Sequence, residues 1–214
     1  MTAHDSPGRC APARRKDVVV LRFGPRRVPR PLADLPIVDV TAPVDVDATA
    51  EARRVVVLGG HADLATVLTR LLRLDRLDVE VSFVPNRRVA RRARTGTARR
   101  IPLIRDETGT VLTHAAFWLP PDATSGTFHG EAVVDDAMLF DGEAKGVRIE
   151  PMALLPGLRA AVLTRRGRPR GWVTGRAAQL GTTGALVIRD GVAAPRPVRR
   201  STFYRHTKGW LAVR

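Results

Sequence analysis

The chain is poor in cysteine, lysine and aromatic residues: Cys10 stands alone, only Lys16, Lys145 and Lys208 are lysine, and Phe, Trp and Tyr make up 5% of the length. A single cysteine excludes an intramolecular disulfide framework and any zinc or iron–sulfur cluster built on several thiolates, and it predicts a reducing, cytoplasmic setting. No apolar run approaches the roughly 18 residues of a membrane-spanning helix, and the basic N-terminal segment lacks the apolar block of a secretory signal. The sequence reads as soluble, or at most peripheral to a membrane. The five histidines, His4, His61, His114, His129 and His206, form no His-Glu-x-x-His pattern and no pair close in sequence. A zincin-type protease is therefore excluded, and no metal site is predicted. No Gly-x-Ser-x-Gly elbow exists, and Cys10 sits where nothing orders a base beside it, so nucleophilic hydrolysis has no motif either.

What the chain has is length, an ordinary apolar content and charge. Its 214 residues, 44% of them hydrophobic, fit one domain or two small packed lobes with a core that needs no covalent staples. The formal net charge is +15, and almost all of the 36 basic residues are arginine. Two readings stay open for that excess: the codon usage of a GC-rich genome, or a surface for nucleic acid, nucleotides or anionic lipid. Asp122, Glu131, Asp135, Asp136, Asp141, Glu143 and Glu150 form an acidic island, and the stretch from Gly157 to Arg214 has Asp190 as its sole acid. If that tail folds against the island, much of the charge is internal complementarity.

Residues 1–16 mix Pro, Gly, Ser and Arg without apolar periodicity and predict a mobile basic arm. Val18-Val19-Val20-Leu21 reads as a strand, and Pro36 to Val40 as a second. Arg53 to Leu58 reads as a buried strand, Gly59-Gly60 breaks it, and Ala62 to Leu74 is helical. Within that helix Leu64, Val67, Leu68, Leu71 and Leu72 form one apolar stripe. Asp78 to Val84 supplies a further strand, completing a βαβ unit with parallel strands. Residues 86–100 are arginine-dense and open as a helix over Arg87 to Arg94; a solvated helix face is the simpler reading and a phosphate-facing loop the other. Asp106-Glu107-Thr108-Gly109 predicts a hairpin turn. Beyond it, short β-branched runs at turn-punctuated spacing predict an antiparallel sandwich. Asp135-Asp136 reads as turn and solvated surface, Phe117-Trp118-Leu119 as core at a lobe junction, and Ser201 to His206 with Trp210 to Val213 as a closing hairpin.

Gly59, Gly60, His61, Ala62 and Asp63 lie where a strand meets a helix, and there glycine lets a ligand approach the backbone while unpaired helix N–H groups favour an anion. Read alone, the same pattern also describes a sharp turn with Asp63 at the positive helix end. Strand, diglycine, amphipathic helix, strand and a long β-rich remainder together resemble the diacylglycerol kinase catalytic-domain-like family and, more distantly, the NAD kinases. In that family the loop reads Gly-Gly-Asp-Gly-Thr and contacts the phosphates of ATP. Gly59 and Gly60 match it; His61, Ala62 and Asp63 stand for the remaining Asp, Gly and Thr. The family's Asp-Gly-Glu of the β-lobe has a counterpart in Asp141-Gly142-Glu143, and Arg189-Asp190-Gly191 is a shorter one.

The resemblance implies a small α/β lobe with parallel strands, residues 17–115, followed by an antiparallel β-sandwich lobe, residues 116–214. It implies a nucleotide or other phosphorylated ligand at residues 59–63, with ATP as the first to consider and Mg²⁺ as its companion. His61 in place of the loop carboxylate removes a hard oxygen ligand for Mg²⁺, so the expected protein is a lipid or NAD kinase-like phosphotransferase that is weak or inactive. Two other functions remain open: an arginine-rich nucleic-acid-binding protein, and an adaptor that binds a protein through its β-lobe.

Overall fold

The computed structural model describes residues 17–122, 124 and 126–214; the predicted arm, residues 1–16, lies outside them. Strands β1 (Val18–Phe23), β2 (Ile37–Val40), β3 (Arg54–Leu58), β4 (Glu80–Phe83) and β5 (Ala98–Ile101) open the described chain, with helix α1 (His61–Arg73) after β3 and the short α2 (Ala90–Thr95) before β5. β1 pairs in parallel with β2 and β3, and β3 in parallel with β4. These strands are valine-rich because they are covered on both faces. Val19, Leu21, Val55 and Val57 pack on one side against Leu64, Val67, Leu68 and Leu71 of α1. Val20, Val56 and Leu58 pack on the other against Leu32, Ala90 and Ala93.

The next strands are β6 (Ile104–Asp106), β7 (Val111–Leu112), β8 (Ala116–Leu119), β9 (Phe128–Val134), β10 (Ala137–Ala144), β11 (Val147–Pro151), β12 (Leu158–Leu163), β13 (Pro169–Gly175), β14 (Ala177–Arg189), β15 (Val192–Ala193) and β16 (Val198–Arg205). All their pairings are antiparallel. β14 is shared by two halves of this system. Its first part pairs with β9 and β16, and its last residues, Leu186 to Arg189, pair with β8. The core between the halves holds Trp118 and Phe203, both fully buried, and the Trp118 indole N–H donates to Ser201 Oγ at 3.0 Å. The fold class is thus the expected one, a parallel α/β sheet followed by an antiparallel β-sandwich.

The closing hairpin is not formed. The last strand, β17 (Trp210–Val213), leaves β16 and enters the first sheet, parallel to β4 and antiparallel to β5. Three local features account for the turn away. The His206 N–H is taken by the Leu103 carbonyl. Gly209 passes so close to Ile101 that any β-carbon would meet its carbonyl. Trp210 then packs against the α1-side core.

The acidic island meets the tail at few points. Glu150 pairs with Arg159 at 2.5 Å, and also with Arg148. Asp135 sits at the β9–β10 turn with φ 49° and accepts from the main-chain N–H groups of Arg176 and Ala177 instead of an arginine side chain. Glu131, Asp136, Asp141 and Glu143 are exposed. Most of the positive excess is therefore left on the surface.

Candidate functional site

β3 lies between two parallel neighbours, and every residue in it is buried. The end of such a central strand is where ligands collect in open α/β sheets. The diglycine continues from that end into α1. A β-carbon on Gly59 would lie 2.5 Å from Asp63 Oδ2 and 2.8 Å from Asp63 Cβ. Gly59 is therefore the sterically required glycine. Gly60 has an ordinary extended backbone, φ −97° and ψ −174°, with room for a methyl group. Its N–H donates to Asp63 Oδ2 at 2.7 Å, so one oxygen of the Asp63 carboxylate caps the helix start. The first intrahelical bond is Leu64 N–H to the Gly60 carbonyl, leaving the N–H groups of His61, Ala62 and Asp63 ahead of it, as at any helix N-terminus.

His61 turns toward the second sheet. Its ring stacks on His114 with centroids 4.4 Å apart and 24° between planes, and leans on Phe83 at 4.8 Å. Thr113 Oγ1 lies 3.0 Å from the His61 carbonyl, 3.0 Å from Asp190 Oδ2 and 3.4 Å from His61 Nδ1. Its single proton serves one of these acceptors at a time. Asp190, at φ 49°, accepts in addition from the N–H groups of Thr113, His114 and Ala115, while its own N–H returns to the Ala115 carbonyl. One carboxylate thus fixes the segment that faces His61.

Ala62 and Asp190 border a cavity of about 410 Å³ between the outer side of α1 and the turn after β14, with Thr66, Arg73, Val192 and Pro195 also in its wall. Gly59, Gly60, His61 and Asp63 do not line it. A larger, more open hollow of about 1060 Å³ lies at a different junction, lined by Arg100, Tyr204 and His206 and containing no residue of the loop. Its size alone gives it no chemistry. Asp141 and Glu143 are exposed on β10, so the counterpart of the acidic motif that reaches His61 is Asp190. Among the described residues no group of three or more His, Cys, Asp or Glu side chains is placed to hold a metal ion.

Sequence reasoning placed the loop, but it missed Thr113 and the His61–His114 pair. Those two histidines are separated by fifty-odd positions along the chain, and the only advance signal was the isolated Arg189-Asp190-Gly191 turn.

Burial, and next the His114 ring, hold the His61 imidazole below the usual histidine range against the opposing pull of Asp190. His206 is lowered too, by burial first and then by Arg105. Both groups bind protons less readily in the fold than in the unfolded chain. Their stabilising effect is complete above the ordinary imidazole pKa of about 6.5 and is lost as the pH falls below it. Thermal melts across this range should show the melting temperature falling on the acid side, with a shallower fall in His61→Gln. An identical acid slope in that variant would remove His61 from the account.

No protein-family model and no curated protein sequence matches the chain. Solved structures do. A diacylglycerol kinase from Bacillus anthracis superposes with a TM-score of 0.70 at 12% identity, over 94% of this chain and 98% of that one. An NAD kinase from Archaeoglobus fulgidus, in complex with ATP, gives 0.62 at 11% identity, over 92% and 93% of the two chains. A yeast NADH kinase complexed with NADH gives 0.55 at 9% identity, over 92% and 83%. With nearly full coverage in both directions, the chain has the diacylglycerol kinase catalytic-domain-like fold that the NAD kinases share.

Proposed function

We propose that this kinase-fold protein binds a nucleotide or other phosphorylated small molecule at the turn of Gly59, Gly60, His61, Ala62 and Asp63, and that phosphoryl transfer there is weak or absent. The observation that carries the second half is the employment of the two nearby carboxylates. Asp63 accepts from the Gly60 N–H, and Asp190 accepts from three successive main-chain N–H groups and faces the Thr113 hydroxyl. Phosphoryl transfer of this kind uses Mg²⁺ held by hard oxygen ligands. The side chains at this turn do not fit such an ion: among the described residues no three His, Cys, Asp or Glu side chains gather to hold a metal, and the neighbours of the two carboxylates are main-chain N–H groups, the Thr113 hydroxyl and the His61 and His114 rings. Binding needs less. The amides ahead of the first intrahelical bond favour an anion, and the cavity beside Ala62 is open to the rest of a ligand. ATP complexed with the Archaeoglobus fulgidus enzyme and NADH with the yeast enzyme are the ligands to try first.

Thermal melts with ATP, ADP and NADH, with and without Mg²⁺, test the reading. At a hundredfold excess over the dissociation constant a ligand adds about 2.7 kcal/mol, which for a chain of this size raises the melting temperature by about 5–10 °C. The shift should not need Mg²⁺. It should disappear in Ala62→Asp, which sets a negative charge at the cavity rim on a half-buried position. Nucleotides that leave the melting temperature unchanged would overturn the binding half. Mg²⁺-dependent phosphorylation of a lipid or of NAD would overturn the other.

A further inference from the structure

The arginine-dense segment after β4 divides into two sets. One set is structural. Arg54 reaches from β3 to the carbonyls of Ala93, Arg94 and Gly96 at 3.3, 2.6 and 2.8 Å, and Arg94 forks onto Asp34 at 2.7 and 2.9 Å. The other set has no such duty. Ala90 and Ala93 are buried on the sheet, and their small side chains let α2 lie close to it, so Arg88, Arg91 and Arg92 fall on the outer side. Among the described residues the guanidinium groups of Arg88, Arg91, Arg92 and Arg214 take part in no hydrogen bond or ion pair. These four side chains converge on a hollow of about 510 Å³ beside Gly96 and Thr97. Gly96 is required there, because a β-carbon would come within 2.6 Å of the Arg214 carbonyl and 2.7 Å of the Arg92 carbonyl. The fold thus gathers four arginine side chains around a concavity that no Asp or Glu side chain lines.

We propose that this surface docks the phosphodiester backbone of nucleic acid, without reading sequence. Guanidinium groups match phosphate oxygens in charge and in fork geometry. The patch has no aromatic ring on which a base could stack, so the contacts are to backbone and not to bases. Nor does it hold an exposed large hydrophobic residue; those lie elsewhere, Leu154 and Leu155 foremost. A helix that settles into a bilayer interface needs an apolar face beside its cations, and α2 has buried its own against the sheet. The site is separate from the diglycine turn. Its lining has no residue in common with the diglycine turn or with the cavity beside Ala62. Loss of nucleotide binding at that turn therefore leaves this proposal standing, and the reverse also holds.

The test is fluorescence anisotropy of a short labelled DNA duplex, titrated at several salt concentrations. Affinity should fall steeply between about 50 and 200 mM salt. The variant Arg88→Ala/Arg91→Ala/Arg92→Ala should flatten the plot of log affinity against log salt by about 2.7, since each phosphate contact contributes about 0.9. A matched variant, Arg165→Ala/Arg166→Ala/Arg168→Ala, removes the same charge from the exposed turn between β12 and β13 and should leave the slope unchanged. All six positions are exposed, so both variants should melt with the wild type, and the first should keep any nucleotide-induced shift. Equal losses in the two variants would reduce the effect to net charge and overturn the proposal. So would failure of the wild type to bind the duplex, or a surface that binds phosphatidylglycerol-containing vesicles through the same arginines while ignoring the duplex.

Discussion

Asp106→Ala should cost the protein about 3–5 kcal/mol, seen as a fall of about 6–20 °C in melting temperature. Asp106 is fully buried, and its carboxylate has two tasks. Oδ1 accepts from the Thr108 N–H at 2.9 Å, the Thr108 hydroxyl at 2.7 Å and the Thr110 N–H at 2.9 Å, and so builds the turn between β6 and β7. Oδ2 meets Arg189 Nε at 2.5 Å, an ion pair set off the line of a good hydrogen bond. The Arg189 guanidinium also lies over the Phe203 ring, with its carbon 5.7 Å from the centroid. Alanine removes the acceptor of three donors and leaves the arginine beside the core with only the Glu107 carboxylate, 4.0 Å away, to offset its charge, which is the costly way to break a buried pair. Asp106→Asn separates the two tasks, because the amide oxygen still serves the turn while the charge is gone. Its loss should be intermediate. An alanine variant that melts within about 2 °C of the wild type would show that the pair adds nothing net, as some buried ion pairs do.

Arg54→Met should have an effect of similar size, about 3–5 kcal/mol, but with a local signature. Arg54 is 5% exposed; it pairs with Glu80 at 2.7 Å and donates to the three carbonyls that end α2. A helix of six residues has no stability of its own, and α2 depends on two alanines packed on the sheet and on this one cation at its negative end. Methionine keeps the volume but leaves the carbonyls without their donor and the Glu80 carboxylate with the Arg53 guanidinium alone, at 3.0 Å. Hydrogen exchange should then show residues 90–96 losing protection before the rest of the first sheet, and urea should give an earlier midpoint. Arg54→Lys, with its charge retained but no fork, should fall between. Uniform loss of protection across the sheet in the methionine variant would mean that Arg54 supports the fold as a whole and not α2 in particular.

The parts of this structure that were legible in the sequence are those written over short stretches. The run from Arg53 to Val84 showed its strand, diglycine, helix and strand because each has its own period. Leu64, Val67, Leu68 and Leu71 lie in the core as their spacing required. Asp106 to Gly109 gave its turn for the same reason, with Gly109 at φ 86°. What could not be read was partnership. Trp210 to Val213 has the same apolar character whether it closes a hairpin or joins the first sheet, and nothing within those four residues names β4 and β5 as neighbours. His61 was noted as the residue in the aspartate position, yet its surroundings are set by Thr113, His114 and Asp190, which arrive from a different sheet. The role of Gly59 was likewise hidden. It looked like clearance for a ligand, whereas in the structure the space is filled by the side chain of Asp63.

The course of β17 also bears on how the protein is made. This strand is inserted between β4 and β5, so on a translating ribosome the sheet begun at Val18 stays incomplete until Val213 has cleared the exit tunnel. Throughout that interval the flanks of β4 and β5 have an unfilled slot. Nascent chains halted just short of Trp210 should accordingly be more sensitive to protease in the N-terminal half than the released protein, although every residue of that half has already been synthesised.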